Sequence, residues 1–409
     1  MLNRRQFLTL SGGAAVTGAA AWAGLVREHT TSTPSAGSTS SAGSGSSGTA
    51  AGLERILVVV QLTGGNDALN TVIPRDGRYH DLRPTLAIAD DKLIALDNAP
   101  TIGLHPALQP LVPLWDAGQL AILPQIGFAA DSRSHFESLA AWWTASPEHR
   151  QTTGWIGRWL DATGAANDNP LAALALGGGA VPALRAEHAQ STAVNDLASF
   201  KLMRANAADA FAATAQPVST EPFLAQAQGA VVSATSAVSL LAKAAAPSSD
   251  NTGSITEGLT TAAALIDMEL GTRVFLVSGT GFDTHANQAA DHEQLLGDLA
   301  TGVSSFFTAL EKSGRADRVL LLTTSEFGRR AQQNGSDGSD HGHGGVQFVA
   351  GHGVRGGLHG EIDLGGLVDG DLAAAVDTRS LYAAGLDWLG GPSAELLDGH
   401  EDTYGLLTV

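Results

Sequence analysis

Asp340, His341 and His343 crowd into four positions of the stretch Ser339-Asp340-His341-Gly342-His343-Gly344-Gly345, in a chain with 13 histidines among 409 residues. Carboxylate oxygens and imidazole nitrogens on glycine-flanked backbone are hard and borderline donors, suited to zinc, manganese or iron. Asp283 and His285 form a second pairing in Gly281-Phe282-Asp283-Thr284-His285. Residues i and i+2 of an extended segment point the same way, so both side chains can reach one ion. Two plainer readings stand beside these. A turn aspartate with a surface histidine also gives D-x-H, and a polar network with His343 capping a strand also accounts for the later cluster. His359, in Gly357-Leu358-His359-Gly360-Glu361, is a lone loop imidazole and a weaker candidate.

Three further clusters carry other chemistry. Asp131-Ser132-Arg133-Ser134-His135-Phe136-Glu137 opens a predicted helix. A helix N-terminus exposes unpaired N–H groups and a partial positive charge, which suits phosphate or sulfate. Ser134 or Ser132 would serve as nucleophile there and Arg133 would clamp the anion, with His135 an alternative ligand. Ser134 and Glu137 also spell the S-x-x-E capping box, which explains the serine as a cap. Thr63-Gly64-Gly65-Asn66-Asp67 follows an apolar run, so the glycines let the backbone turn and leave Asp67 at an edge as a donor or as a helix cap. Ser325-Glu326-Phe327-Gly328-Arg329-Arg330 sets a carboxylate and guanidinium groups after another such run.

These clusters need a scaffold that brings them together. Arg55–Leu62, Leu120–Ile126, Thr272–Ser278, Arg318–Thr324 and Val346–Ala350 are short β-branched and aliphatic runs bounded by Gly, Pro or Asp, and read as buried strands. Helical patterns lie between them at His105–Asp116, Ser134–Thr144 and about Ala289–Lys312. The alternation predicts an α/β fold, a mostly parallel sheet with helices on both faces. Four polar clusters follow strands, where an open parallel sheet places ligands beyond its carboxyl ends. From about 191 to 268 the composition turns to Ala, Ser, Thr and Gln, predicting a helical insertion. Gly64-Gly65 and Gly177-Gly178-Gly179 follow apolar runs, but neither gives the G-x-G-x-x-G of a dinucleotide-binding fold.

Asn3-Arg4-Arg5-Gln6-Phe7-Leu8, followed by a mildly apolar Ala/Gly/Thr stretch, predicts a twin-arginine (Tat) signal peptide over 1–29. Residues 30–52 are Ser/Gly-rich and predict a disordered linker, leaving 53–409 as the folded domain. The expected destination is the periplasm or the exterior, with the Tat translocase a partner during export and no membrane association after cleavage. The formal charge is −18, and the first 52 residues are net positive, so the domain is more acidic still. Such a surface repels nucleic acid and anionic lipid, but metal ions would let it accept an anionic small-molecule or polymer ester. With no cysteine, disulfide frameworks, thiol nucleophiles and thiolate metal sites are excluded.

The motifs Gly-Gly-Asn-Asp after a strand, GFDTHANQ, TSEFGRR and DHGHGG, together with SHFES and GWIGRWLD after a Tat signal, resemble the bacterial domain-of-unknown-function 1501 family. The likeness runs from about Arg55 to Gly391. That family is similar to the alkaline phosphatase superfamily of phosphatases, sulfatases and phosphodiesterases, so the resemblance implies an alkaline phosphatase-like fold. It implies Asp67 as an early ligand, Ser134 as nucleophile, Asp283 with His285 on one metal, Glu326 in the place of a ligand Asp, and His341 or His343 as the late imidazole. Phe327 stands where the superfamily has a histidine, and the Asp283–His285 spacing is shorter than in phosphatases.

Two functions follow. The first is an exported metal-dependent hydrolase of phosphate or sulfate esters, using one or two divalent ions, zinc or manganese, with Ser134 or a water attacking and Arg133 or Arg329 orienting the oxyanion. The alternative is a non-catalytic exported binding or assembly protein with a degenerate metal site on the same fold. Two tightly bound ions per chain would support the first, and one or none the second.

Overall fold

The run Ile56–Thr63 (β1) has apolar side chains on both faces of the strand. Ile56, Val58, Val60 and Leu62 enter one buried cluster, whereas Leu57 and Val59 enter another. Burial on both faces selects an unbroken aliphatic run rather than alternation, which is why this strand is legible as a sheet centre. The computed structural model describes residues 54–129, 132–167, 169–177, 181–195, 213–216, 218–241 and 254–408. The predicted signal segment, the predicted linker and stretches 196–212, 217 and 242–253 of the alanine-rich section lie outside the described residues.

Among the described residues the main sheet has nine strands. They are β1, β2 (Leu120–Gly127), β3 (Ala173–Leu176), β4 (Thr192–Val194), β5 (Val274–Thr280), β6 (Val319–Thr324), β7 (Gly345–Ala350), β8 (Gly357–Leu358) and β9 (Val376–Asp377). The order is β8-β2-β7-β6-β1-β5-β3-β4, with β9 also on β2. Every pairing is parallel except those of β7, which runs antiparallel to β2 and β6. The carboxyl ends of β1, β2, β5 and β6 and the amino end of β7 therefore share one edge. The loops leaving that edge carry the clusters singled out above.

Helices cover both faces, so the fold is α/β. On one side α5 (Ile255–Asp267) and α6 (Gln288–Ser313) pack through Leu259, Ile266, Leu296, Leu299 and Phe306. On the other, α2 (His135–Thr144), α3 (Trp155–Thr163) and α7 (Thr378–Trp388) contribute Trp142, Trp155, Trp159, Leu381 and Trp388. Trp155 stacks on Tyr382 with ring centres 4.3 Å apart. The predicted helix His105–Asp116 is instead a 3-10 turn, Pro106–Leu111, and a short helix, Val112–Asp116. Pro110 and Pro113 remove the N–H donors a continuous α-helix needs.

The section expected as a helical insertion belongs partly to the core. It begins with the edge strand β4, and α5 near its end packs on β5 and α6. Its middle holds α4 (Pro222–Leu241), on which Phe223 is 82% exposed. By length and composition alone, Phe223–Leu241 would suffice to cross a membrane.

Candidate metal centre

Gly64, just past β1, has φ +123°. A Cβ there would meet the backbone nitrogen of Asp283 at 2.3 Å, so glycine is what lets the β1 loop pass beneath the loop after β5. After β6 the chain pairs with the segment entering β7. Gly328 N–H donates to His343 O at 2.8 Å and Gly342 N–H donates to Gly328 O at 2.8 Å, which sets Arg329 opposite His341. His135 enters as the first residue of α2.

His135, Asp283 and His341 offer donor atoms that all lie within 4.8 Å of one another. His135 Nε2 is 3.4 Å from Asp283 Oδ2, and His341 Nε2 is 3.1 Å from Asp283 Oδ1. His285 joins them, its Nε2 being 3.0 Å from Asp283 Oδ1 and 2.9 Å from His341 Nε2. Each imidazole is held at its other nitrogen. His135 Nδ1 lies 2.9 Å from Glu326 Oε1, His285 Nδ1 lies 3.1 Å from Asp340 Oδ1, and His341 Nδ1 lies 2.8 Å from the carbonyl oxygen of Arg133.

These three partners accept, so the hydrogen-bond network assigns the proton to each Nδ1 and leaves each Nε2 with its lone pair toward Asp283. Lone pairs turned on one another and on a carboxylate repel unless a cation stands between them. Atoms bonded to one ion at about 2.0–2.2 Å lie roughly 3 Å apart, and a ligand imidazole ordinarily donates its second N–H to a carboxylate or carbonyl. The donor set therefore fits a divalent ion. The side chains of Asp283 and His285 are 47% and 43% exposed, so the centre is open to solvent, as catalytic sites are and closed structural sites are not.

The electrostatics follow from the neighbours. Burial pushes the Asp283 carboxyl up, but the hydrogen bond and the charge of Arg329 act against it and the group is held at about 2. The hydrogen bond to Glu326 raises His135, burial lowers His341, and the Asn334 side chain lowers Asp340. Phe327, fully buried, lays its ring against His135 and His341 at 5.0 and 4.5 Å between centres. At the position where the superfamily resemblance expects a histidine, an apolar wall steadies two imidazoles.

Asp283, His285 and His341 thus meet, with His135 beside them, whereas other predicted site residues do not join as donors. Asp67 is a buried cap: it accepts from the Leu69 and Asn70 N–H groups at the start of α1 (Ala68–Thr71) and pairs with Arg83 Nη1 at 2.5 Å and Gln288 Nε2 at 2.5 Å. Those partners hold its carboxyl at about 2 despite burial, and the expected edge ligand is corrected to a core ion pair. Glu326 is buried behind His135, its Oε1 also accepting from Gly64 N–H at 2.8 Å, and Asp340 orients His285 instead of facing Asp283. His343 turns away, its Nε2 lying 2.9 Å from Arg133 Nη2.

Both predicted oxyanion clamps are engaged by the protein. Arg329 is wholly buried and donates to the carbonyls of Gly64, Gly65, Phe282 and Ser339 as well as to Asp283, so it builds the loops and does not face substrate. Arg133 meets His343 and Asp371. Ser134 precedes α2 and makes no side-chain cap bond, so the capping box suggested by Glu137 does not form. His359 lies elsewhere, with Nε2 2.7 Å from the Arg355 carbonyl. Arg83 and Asp371 carried no sequence signal, because their roles depend on partners far along the chain.

No curated protein matches this sequence. Similar solved structures include a protein of the alkaline phosphatase superfamily from Vibrio parahaemolyticus, 9% identical over 87% of this chain and 71% of that one with a TM-score of 0.43. The PsFucS1 sulfatase from Pseudoalteromonas sp. is 12% identical over 87% and 72%, TM-score 0.41. The phosphonate monoester hydrolase SpPMH from Silicibacter pomeroyi is 10% identical over 85% and 76%, TM-score 0.36. The family of proteins of unknown function DUF1501 matches residues 130–407, which span both the candidate centre and most of the sheet, and the chain belongs to that family.

Proposed function

We propose that the protein is an exported metal-dependent hydrolase of phosphate or sulfate esters, with His135, Asp283, His285 and His341 holding one divalent ion, zinc or manganese. The supporting observation is the convergence of three imidazoles, each pinned at Nδ1, on the half-exposed carboxylate of Asp283. When bound, the ion supplies Lewis acidity toward an ester oxygen and lowers the pKa of a water. The protein's residues do the rest. Glu326, Asp340 and the Arg133 carbonyl keep each Nε2 turned inward. Ser134 stands beside His135 at the amino end of α2, where the first-turn N–H groups favour an anion and the hydroxyl serves as nucleophile or anion ligand.

The twin-arginine motif supports export to the periplasm or beyond, and the acidic surface supports a small or polymeric ester over nucleic acid. The test is turnover of a panel of aryl phosphate monoesters, phosphate diesters and sulfate esters by the natively exported protein, before and after chelation. Chelator-sensitive hydrolysis of at least one ester class, lost in Asp283→Asn, is the expected result. Absence of metal-dependent turnover on every ester would remove the hydrolase reading.

One observation favours the second reading, a binding or assembly protein on the same fold: Arg133 and Arg329 are both engaged by the protein's own groups. Since the geometry supports one donor cluster, counting ions no longer separates the two readings. Turnover does.

A further inference from the structure

Asp371 is fully buried and lies in none of the motifs that point to chemistry. It closes a tight turn in which Val368 N–H donates to Asp371 O at 2.9 Å and Asp371 N–H donates to Val368 O at 3.0 Å. Asp369 and Gly370 between them have φ of +53° and +82°, the left-handed pair that a two-residue hairpin turn requires. The turn is tied down on either side, because Ala331 N–H donates to Gly370 O and Gly344 N–H donates to Leu372 O. The backbone that carries the carboxylate is thus held on both sides.

Two arginines reach it. Arg133 Nη2 lies 2.7 Å from Asp371 Oδ2, and Arg330 Nε lies 3.5 Å from Asp371 Oδ1. Arg133 itself has φ +58°, a conformation non-glycine residues rarely adopt. Its carbonyl oxygen, aimed by that backbone, accepts from His341 Nδ1 at 2.8 Å.

We propose that Asp371 is a positioning residue for the candidate metal centre: by holding the Arg133 side chain it fixes the Arg133 carbonyl against His341 Nδ1, and so fixes the tautomer in which His341 Nε2 faces Asp283. The proposal rests on the reading of His135, Asp283, His285 and His341 as a metal centre. It assigns Arg133 a part in building the site through its backbone, distinct from any contact with substrate. Asp371 acts through Arg133 and touches no reacting atom.

The experiment reads the histidine tautomers of metal-free, 15N-histidine-labelled protein by long-range proton–nitrogen correlation, with His341 assigned by the loss of its signals in His341→Gln. Zinc affinity is then measured on the same samples. Wild type is expected to show the Nδ1–H tautomer at His341. Asp371→Asn, isosteric but uncharged, is expected to give a tautomer mixture and a loss of zinc affinity of about tenfold to a hundredfold, as removal of groups behind a metal ligand does. Arg133→Ala breaks the same link from the other end and gives the same result should Asp371→Asn fold poorly, whereas Asp371→Glu recovers part of the affinity. A pure Nδ1–H tautomer and unchanged zinc affinity in both Asp371→Asn and Arg133→Ala would overturn the proposal. A tautomer change without zinc binding in wild type would contradict the metal reading and leave the link between Asp371 and His341 standing.

Discussion

Arg329 Nη2 stands 2.7 Å from Asp283 Oδ1, joining a wholly buried guanidinium to a half-exposed carboxylate. The same guanidinium satisfies carbonyls from three loops, after β1, after β5 and before β7, so the residue that aims Asp283 also holds the floor of the site. Arg329→Ala would leave those carbonyls and Asp283 without a donor. We expect it to lower unfolding stability by about 3 kcal/mol or more in urea titrations, as removal of one partner from a buried charged network does. Arg329→Lys should recover little, because one ammonium cannot reproduce a planar fork. A melt unchanged in Arg329→Ala would contradict this assignment.

Ser134 is the nucleophile candidate nearest in sequence to a metal-ligand candidate, and its hydroxyl makes no cap bond. Ser134→Ala is expected to reduce kcat by at least about a hundredfold on the responsive ester while leaving stability nearly unchanged. Full activity in Ser134→Ala beside a dead Asp283→Asn would assign the attack to a water instead.

His292 is buried without charge. Burial lowers it to about 4, and its Nε2 lies 3.0 Å from Asn66 Oδ1. The folded form thus binds its proton more weakly than the unfolded chain, with an ordinary value near 6.5. Its contribution to stability is present above pH 6.5 and is lost as pH falls through the window down to about 4, amounting to roughly 3 kcal/mol. The difference in unfolding free energy between wild type and His292→Gln should therefore change across pH 6.5 to 4. Asp67, held at about 2, acts in the same direction but only below about pH 4. A wild-type–variant difference that stays constant between pH 7 and 4 would show that His292 does not titrate as its burial requires.

The parts legible from sequence were those with local causes. Five strands stood out because burial on both faces demands unbroken apolar runs. Their clusters landed on one edge because parallel strands end together. β3 and β4 did not stand out, being only four and three residues long, Ala-Leu-Ala-Leu and Thr-Ala-Val. The reversal of β7 has no local signature, yet it is what returns His341 to the edge. Asp283 and His285 stand out by spacing, and His341 only together with Asp340 and His343, whereas the S-x-x-E pattern beside His135 suggests a cap. Of the two readings of Asp67, donor or helix cap, the cap holds, and nothing near it in sequence announces its partners Arg83 and Gln288.

Export is tested separately from chemistry. Replacing both Arg4 and Arg5 by lysine retains positive charge but removes the guanidinium pair on which the twin-arginine route depends. Cell fractionation should find the double variant inside the cell. Undiminished export would remove the twin-arginine proposal and leave the metal centre untouched.

In the proposed metal centre His341, and not His343, joins His135, Asp283 and His285. Elemental analysis of natively exported, dialysed protein tests it most directly, comparing wild type, Asp283→Asn, His341→Gln and His343→Gln. One zinc or manganese ion per chain is expected in wild type and in His343→Gln, and loss of that ion in Asp283→Asn and His341→Gln. A wild type without bound metal, or a His343→Gln that loses the ion while His341→Gln keeps it, would contradict it.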